Sequence, residues 1–354
     1  MNTKKITYHI QKIAVWLLML TVLGSCQLHE LTDDCDKKGL LVLHLGVDGM
    51  TTRASSLFTG DEEIVKYRVF VFANGFLEIN QVFSTDDVEF NNFALIEVAV
   101  GMKEIYVVAN ETAEMASSLG AVTAKDGLIS ILANQITSPS PSPLSLPLVM
   151  AGKSDGDVEV VEQPDTENPN SVTITLTRIA SKISLRFLKD TNLPVAITKV
   201  SLIKNTVKTT IWENGTLSET QSYWDWNHTL PVALTLTETP ASIPDQGSIY
   251  LYENLGNSVS NKENATQLEV EALFDGIQTK YRVYINEDID SPGTGIPGEP
   301  NSSVVDVNDH FYNLKRNYHY QLTGTISGIG DYTSISVKVK ILPWVVHEYS
   351  VPLE

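Results

Sequence analysis

The sequence predicts an all-β protein, a sandwich plan used twice, with little helix. Short runs rich in Val, Ile, Phe and Tyr recur along the whole chain, punctuated by Gly, Asn, Asp and Pro. Several of these runs alternate apolar and polar residues, the period of a half-buried strand. Only residues 112–136 carry a helical pattern. The 354 residues give room for about two domains, and a 42% hydrophobic composition is enough for two cores.

Residues 1–25 read as a targeting segment. Lys4, Lys5 and Lys12 make a basic start, and Ile13 to Leu23 is an apolar run too short for a permanent span. It closes on Leu23, Gly24, Ser25 and Cys26, small residues before a cysteine. Residues 26–39 are a short acidic tether. The only two cysteines, Cys26 and Cys35, both precede the first strand, so no disulfide framework is expected. Leu40 to Leu45, a short apolar run, is that first strand. Gly46 to Ser56 then reads as a loop. Arg53 within it is the only Lys or Arg between Lys38 and Lys66. An arginine before small residues on an exposed loop suits a trypsin-like protease, although a loop arginine alone is unremarkable.

Tyr67 to Phe72 and Leu77 to Phe83 are strands joined at Asn74–Gly75, a hairpin turn pair. Phe93 to Val100 and Lys103 to Ala109 follow as a second pair. Thr112 to Leu119 and Ala124 to Ile136 are the expected helices. After the Ser/Pro-rich loop 138–147, Leu148 to Ala151 reads as a short strand. Val172 to Phe187 reads as two β segments broken near Ala180–Lys182. The boundaries expected are 40–170 for a first β-sandwich domain and 171–354 for a second. Ile197 to Lys204, Ile249 to Glu253, Gln267 to Phe274, Thr279 to Ile285 and Tyr318 to Ile326 are further strands. Tyr223, Trp224 and Trp226 form an aromatic cluster read as lying in a loop, either a lid on the core or a sugar platform.

The closing stretch is the most patterned. Ile335, Val337, Val339 and Ile341 alternate with Ser336, Lys338 and Lys340. Pro343 cannot donate to a ladder, and a second strand, Trp344 to Val351, takes the chain almost to Glu354. An apolar end of this kind requires burial, in its own domain or in a neighbour's.

A net charge of −18 argues against nucleic acid as a partner, since phosphate contact needs a basic face. Gly293 to Gly298 spells a dinucleotide fingerprint, but Pro292, Pro297 and Pro300 forbid the helix it requires. The histidines show no i, i+4 pairing for zinc, and no nucleophile elbow or P-loop occurs. No cofactor, no metal and no catalytic residue is expected. Asn110, Asn214, Asn227, Asn264 and Asn301 begin N-x-Ser/Thr triplets, taken as chance.

Several stretches in order resemble the fimbrillin family of Bacteroidetes, lipoprotein subunits of type V pili. They are the box ending at Cys26, Thr52–Ala54, Tyr67–Phe72 with Asn74–Gly75, Gly101–Asn110, Leu176–Ile183, Tyr252–Asn254, Leu314–Tyr320, Thr325–Gly330 and the closing strands with Trp344. The resemblance implies two tandem transthyretin-like β-sandwich domains. It also implies lipid on Cys26, attachment to the outer membrane, and a cut between Arg53 and Ala54 by an Arg-specific trypsin-like protease. Loss of residues 26–53 would take Leu41, Leu43 and Leu45 away and open a groove. Donor strands from another fimbrial subunit, here Ile335, Val337, Val339, Ile341, Trp344, Val346 and Val351, would fill it head-to-tail. The alternatives are an anchor or tip subunit of the same fimbriae, favoured by the acidic stretch Asp33–Asp36, and a surface glycan-binding lipoprotein using Tyr223, Trp224 and Trp226.

Overall fold

The structure, a computed structural model, describes residues 37–48, 60–84, 93–134, 142–162, 170–213, 221–289, 307–330 and 334–344. Cys26, Arg53, Ala54, the Gly293–Gly298 stretch, Val346 and Val351 lie outside the described residues.

The first strands are β1 (Lys38–Val47), β2 (Lys66–Ala73), β3 (Phe76–Ser84), β4 (Phe93–Ala99) and β5 (Gly101–Ala109). After two helices come β6 (Leu132–Asn134), β7 (Met150–Lys153), β8 (Val158–Val160) and β9 (Asn170–Arg178). The main sheet has the order β3-β2-β5-β7-β9-β1-β4, with β8 on β5. Its pairs are antiparallel apart from β1 on β9. Period-2 alternation sorts its two faces. Tyr67, Val69 and Val71 share an inner core with Ile105, Val107, Ile96, Val98 and the leucines of β1, so the sheet folds over on itself. Phe70, Phe72, Tyr106 and Val108 point the other way, onto Met115, Leu119 and Leu128 of helices α1 (Ala113–Gly120) and α2 (Lys125–Ile129).

Asn74 and Gly75 both take positive φ, 51° and 80°, as the expected two-residue hairpin requires. Thr112 caps α1, its hydroxyl accepting the Met115 amide at 3.3 Å. The second helical stretch is shorter than the pattern predicts. It stops at Ile129, and Leu132–Asn134 instead pair with Lys208–Thr210; a ladder partner distant in sequence outweighs local helix preference. Gly46 and Val47, expected to start a loop, extend β1, where Val47 is buried. The expected Leu148–Ala151 strand lies slightly later, at Met150–Lys153.

The second set begins with β10 (Ala180–Lys189), β11 (Val195–Thr206), β12 (Lys208–Thr210), β13 (Tyr223–Thr235), β14 (Ala241–Ser242) and β15 (Ile249–Tyr252). It continues with β16 (Gln267–Phe274), β17 (Ile277–Tyr284), β18 (Asp288–Ile289), β19 (Tyr318–Ile326) and β20 (Ile335–Pro343). One sheet has the order β14-β10-β19-β20-β18 with β15 on β10; the other is β13-β11-β16-β17. They enclose a second core in which Ile183, Leu185 and Phe187 meet Val200, Leu202, Leu268 and Val270. The chain leaves the first sheet at Arg178 and enters the second at Ala180. Strand β9 belongs with the first core because β1 pairs with it.

A candidate assembly site

Strand β1 sits inside the first sheet with a neighbour on each side. Leu41 to Val47 pair in parallel with Asn170 to Leu176, and Lys38 to His44 pair antiparallel with His44 on Phe93 and Lys38 on Ala99. Leu41 and Leu43 are fully buried, and Leu45 and Val47 nearly so. The start of the strand is pinned by Asn170, whose side-chain amide donates to the Leu40 and Val161 carbonyls at 3.1 and 3.0 Å. Packing there leaves no room for a side chain at Gly39, where a Cβ would fall 2.4 Å from the Val161 carbonyl oxygen. All three leucines expected on a removable strand therefore share one buried face, with unbroken ladders at both flanks.

Strand β20 fills its own half. Ile335, Val337, Val339 and Ile341 are buried in the second core. Its backbone pairs with β19 along its full length and with β18 at Lys338 and Val339. Whether these residues are at home or in a neighbour was left open by the sequence; here they are at home. Trp344 lies beyond that core, in a small cluster with Leu148 and Ala180 between the two halves.

Trp344 belongs to a charged hub built on Arg178, which has no exposed surface. Arg178 donates to the carbonyls of Asp48, Asp61 and Trp344 at 3.2, 3.2 and 3.3 Å. It also donates to Asn317 Oδ1 and Glu62 Oε1, each at 3.0 Å. Its guanidinium carbon lies 4.8 Å from the centre of the Trp344 ring. Tyr250 also stacks with the indole, ring centres 5.7 Å apart, and Trp344 Nε1 donates to Asp61 Oδ2 at 3.2 Å. Asp61 also accepts from Lys182 and from the Tyr250 hydroxyl. The hub thus joins both sides of the 49–59 stretch, which carries Arg53, to the residue preceding the C-terminal segment.

The charges are balanced by contact. Burial by itself would raise the Asp61 carboxyl, but hydrogen bonds from Lys182, Tyr250 and Trp344, with the Lys182 charge, hold it below its ordinary value. Burial raises the Glu62 carboxyl, and the Arg178 charge only partly offsets this. Burial pulls the Arg178 guanidinium down while Glu62 and Asp61 pull it back up. Nearby, His319 accepts or donates one bond with Ser184 at 2.7 Å. Burial first, then the positive charges of Lys182 and Arg186, depress its pKa from 6.5 to about 4. Between those values the unfolded chain binds the proton and the folded chain does not. The contribution is therefore complete above pH 6.5 and is lost as pH falls to about 4, at most about 3 kcal/mol. Denaturant titrations from pH 7 to pH 4 should show this loss in the parent chain and a flatter profile in His319→Gln.

Arg178 and Asn317 were not singled out by sequence reasoning. A signal existed for the first: Arg178 continues the parity of Ile174 and Leu176, so period 2 points it into the interior. Nothing comparable marks Asn317. The aromatic cluster is corrected: Tyr223, Trp224 and Trp226 lie on β13, not in a loop. Trp224 and Trp226 are buried in the second core because inward positions of that strand alternate with Asp225 and Asn227. Trp224 Nε1 is spent on the Thr206 carbonyl, and Tyr223 is half-buried beneath Lys204, so no exposed aromatic platform forms there. Among the described residues, no group of three or more His, Cys, Asp or Glu is placed to hold a metal.

Residues 42–178, from β1 to the hub arginine, match the family model described as major fimbrial subunit protein (FimA). The major fimbrium subunit FimC of Porphyromonas gingivalis is 29% identical over 343 residues, covering 93% of this chain and 69% of that protein. The solved fimbrilin FimA of P. gingivalis W83 is 17% identical, with a TM-score of 0.57 over 88% of this chain and 99% of that one. The tip fimbrial protein Mfa3 of P. gingivalis, solved with a C-terminal truncation, is 12% identical, with a TM-score of 0.54 over 87% of this chain and all of that one (100%). These two likenesses are of fold.

Proposed function

We infer that this chain, a relative of the Bacteroidetes fimbrillins, is a structural subunit of surface fimbriae with a role in adhesion, matured by removal of β1 and polymerised by strand exchange. The observation that carries the reading is the setting of β1. It is the first described strand, it fills a slot between β9 and β4, and the residues that link it to the rest of the sheet contain Arg53. Lipid on Cys26 would first hold the subunit at the outer membrane. An Arg-specific trypsin-like protease would then cut between Arg53 and Ala54. Departure of β1 would uncover the backbone edges of β9 and β4, together with Ile96, Ile174 and Leu176 of the first core.

A C-terminal segment of another subunit would refill that slot by β-augmentation, backbone bonds supplying affinity and alternating side chains supplying fit. Each refilled leucine-sized position is worth about 1.5–3 kcal/mol. Donation of β20 would strip Ile335, Val337, Val339 and Ile341 from their own core. Donation of the residues after Trp344, including Val346 and Val351, leaves that core intact and is the reading proposed. The first core then serves as acceptor domain and the second carries the donor. A head-to-tail contact of this kind does not close on itself and propagates a filament. The role is mechanical, without turnover.

The test is the N-terminal residue of the protein in filaments sheared from cells. Ala54 is expected there, and Arg53→Ala should abolish incorporation into filaments while leaving the folded subunit in the outer membrane. Acylated Cys26 on protein that assembles normally would overturn the processing step and turn the reading towards a lipid-retaining anchor.

A further inference from the structure

The hub contains a circuit of hydrogen bonds that runs from the end of the β1 segment to the root of the C-terminal segment. Asn317 Nδ2 donates to Asp48 Oδ2 at 2.6 Å. Asn317 Oδ1 accepts from Arg178 at 3.0 Å. The Asn317 carbonyl accepts the Trp344 amide at 3.2 Å, and the Trp344 carbonyl accepts from Arg178 at 3.3 Å. Arg178 closes the circuit by donating to the Asp48 carbonyl at 3.2 Å. Asn317 stands at φ 59°, in the left-handed region that is uncommon outside glycine. Its amide donates to the Ala180 carbonyl, and the two side-chain bonds fix its orientation further.

We propose that this circuit is a latch: the β1 segment, through Asp48, holds Asn317 and Arg178 in the arrangement that docks Trp344, and departure of β1 loosens Trp344. The inference rests on the reading that β1 leaves during assembly. Asp48 lies on the β1 side of Arg53 and would depart with that strand. Asn317 would lose the carboxylate that anchors its side-chain amide, and Arg178 would lose one carbonyl acceptor. The Trp344 amide is bonded to Asn317 itself, so slack in Asn317 passes directly to Trp344. Asp61, Tyr250 and Lys182 still face the indole, and the second core does not depend on Asp48. The effect is therefore a local opening at Trp344, with β20 left in place. The order of events follows: a subunit frees the root of its C-terminal segment only after its own slot has been vacated.

The experiment inserts a recognition site for a different protease within residues 51–57 of the full chain, behind an N-terminal affinity tag. After cleavage, the β1 peptide is stripped in mild denaturant and amide hydrogen exchange is followed. The Trp344 amide should exchange about ten-fold faster or more once the peptide is removed. It should not change on cleavage alone, and the Val339 amide in β20 should keep its protection. A second arm uses uncut Asp48→Ala, in which Trp344 should exchange at least about three-fold faster while the Leu43 amide in β1 is unchanged. Should stripping β1 melt β20 as well, the Asp48→Ala arm decides alone. Trp344 exchange equal to that of the parent in that arm overturns the latch. The cut is engineered, so finding that Arg53 is not the natural processing site would sink the maturation reading without touching this result.

Discussion

Replacing Arg178 with methionine is expected to destabilise the uncut chain by about 3–5 kcal/mol, read as a lowered midpoint in denaturant. Methionine fills much of the volume of the arginine stem, so the loss comes chiefly from groups left without a donor. Glu62 would face a buried site with no countercharge, and the carbonyls of Asp48, Asp61 and Trp344 would each lose a bond. Breaking one partner of a buried pair costs more than replacing the whole pair. The double variant Arg178→Met, Glu62→Gln should therefore recover about 1–2 kcal/mol, because the stranded charge is gone. A loss under about 1 kcal/mol in the single variant would mean that the hub contributes little. The two cores, which have separate memberships, would then be joined chiefly through Ile179 and its apolar neighbours.

Leu43→Ala should cost the uncut chain about 2–5 kcal/mol, since a fully buried leucine between two ladders leaves a cavity that flanking strands cannot close. The same change should have no effect on the stability of assembled filaments, because β1 is absent from them in the proposed mechanism. The comparison needs two measurements, denaturant unfolding of the purified uncut subunit and the temperature at which filaments dissociate in detergent. Filaments weakened to the same degree as the subunit would show that β1 remains in place after assembly, and strand exchange at this slot would be abandoned. Ile96→Ala makes the converse pair. It lines the slot from β4, so it should weaken subunit and filament alike.

Much of the architecture is legible in the linear chain because it depends on local period. Alternation in Ile335–Ile341 places the correct residues inside, and Asn74–Gly75 marks a hairpin whose two residues both take positive φ. Where a local pattern competes with a distant partner, the reading fails. Residues 132–134 leave the helix for a ladder with β12, and Trp224 and Trp226 turn from a presumed loop into core positions of β13. The parallel pairing of β1 with β9, separated by most of the first core's sequence, has no local mark.

Local pattern along the chain suffices for the all-β class, the first hairpin, the buried face of β20 and the resemblance that points to a fimbrial subunit. These rest on side-chain period and turn chemistry, which act over a few residues. It takes the assembled fold to place β1 in an internal slot, to have Ile335 to Ile341 complete their own core, and to bring Asp48, Asp61, Asn317 and Trp344 together on Arg178. Those relations join residues up to 296 positions apart, as Asp48 and Trp344 are. They arise because a buried guanidinium has to find acceptors wherever the fold brings them, and that requirement leaves no spacing in the chain to be read.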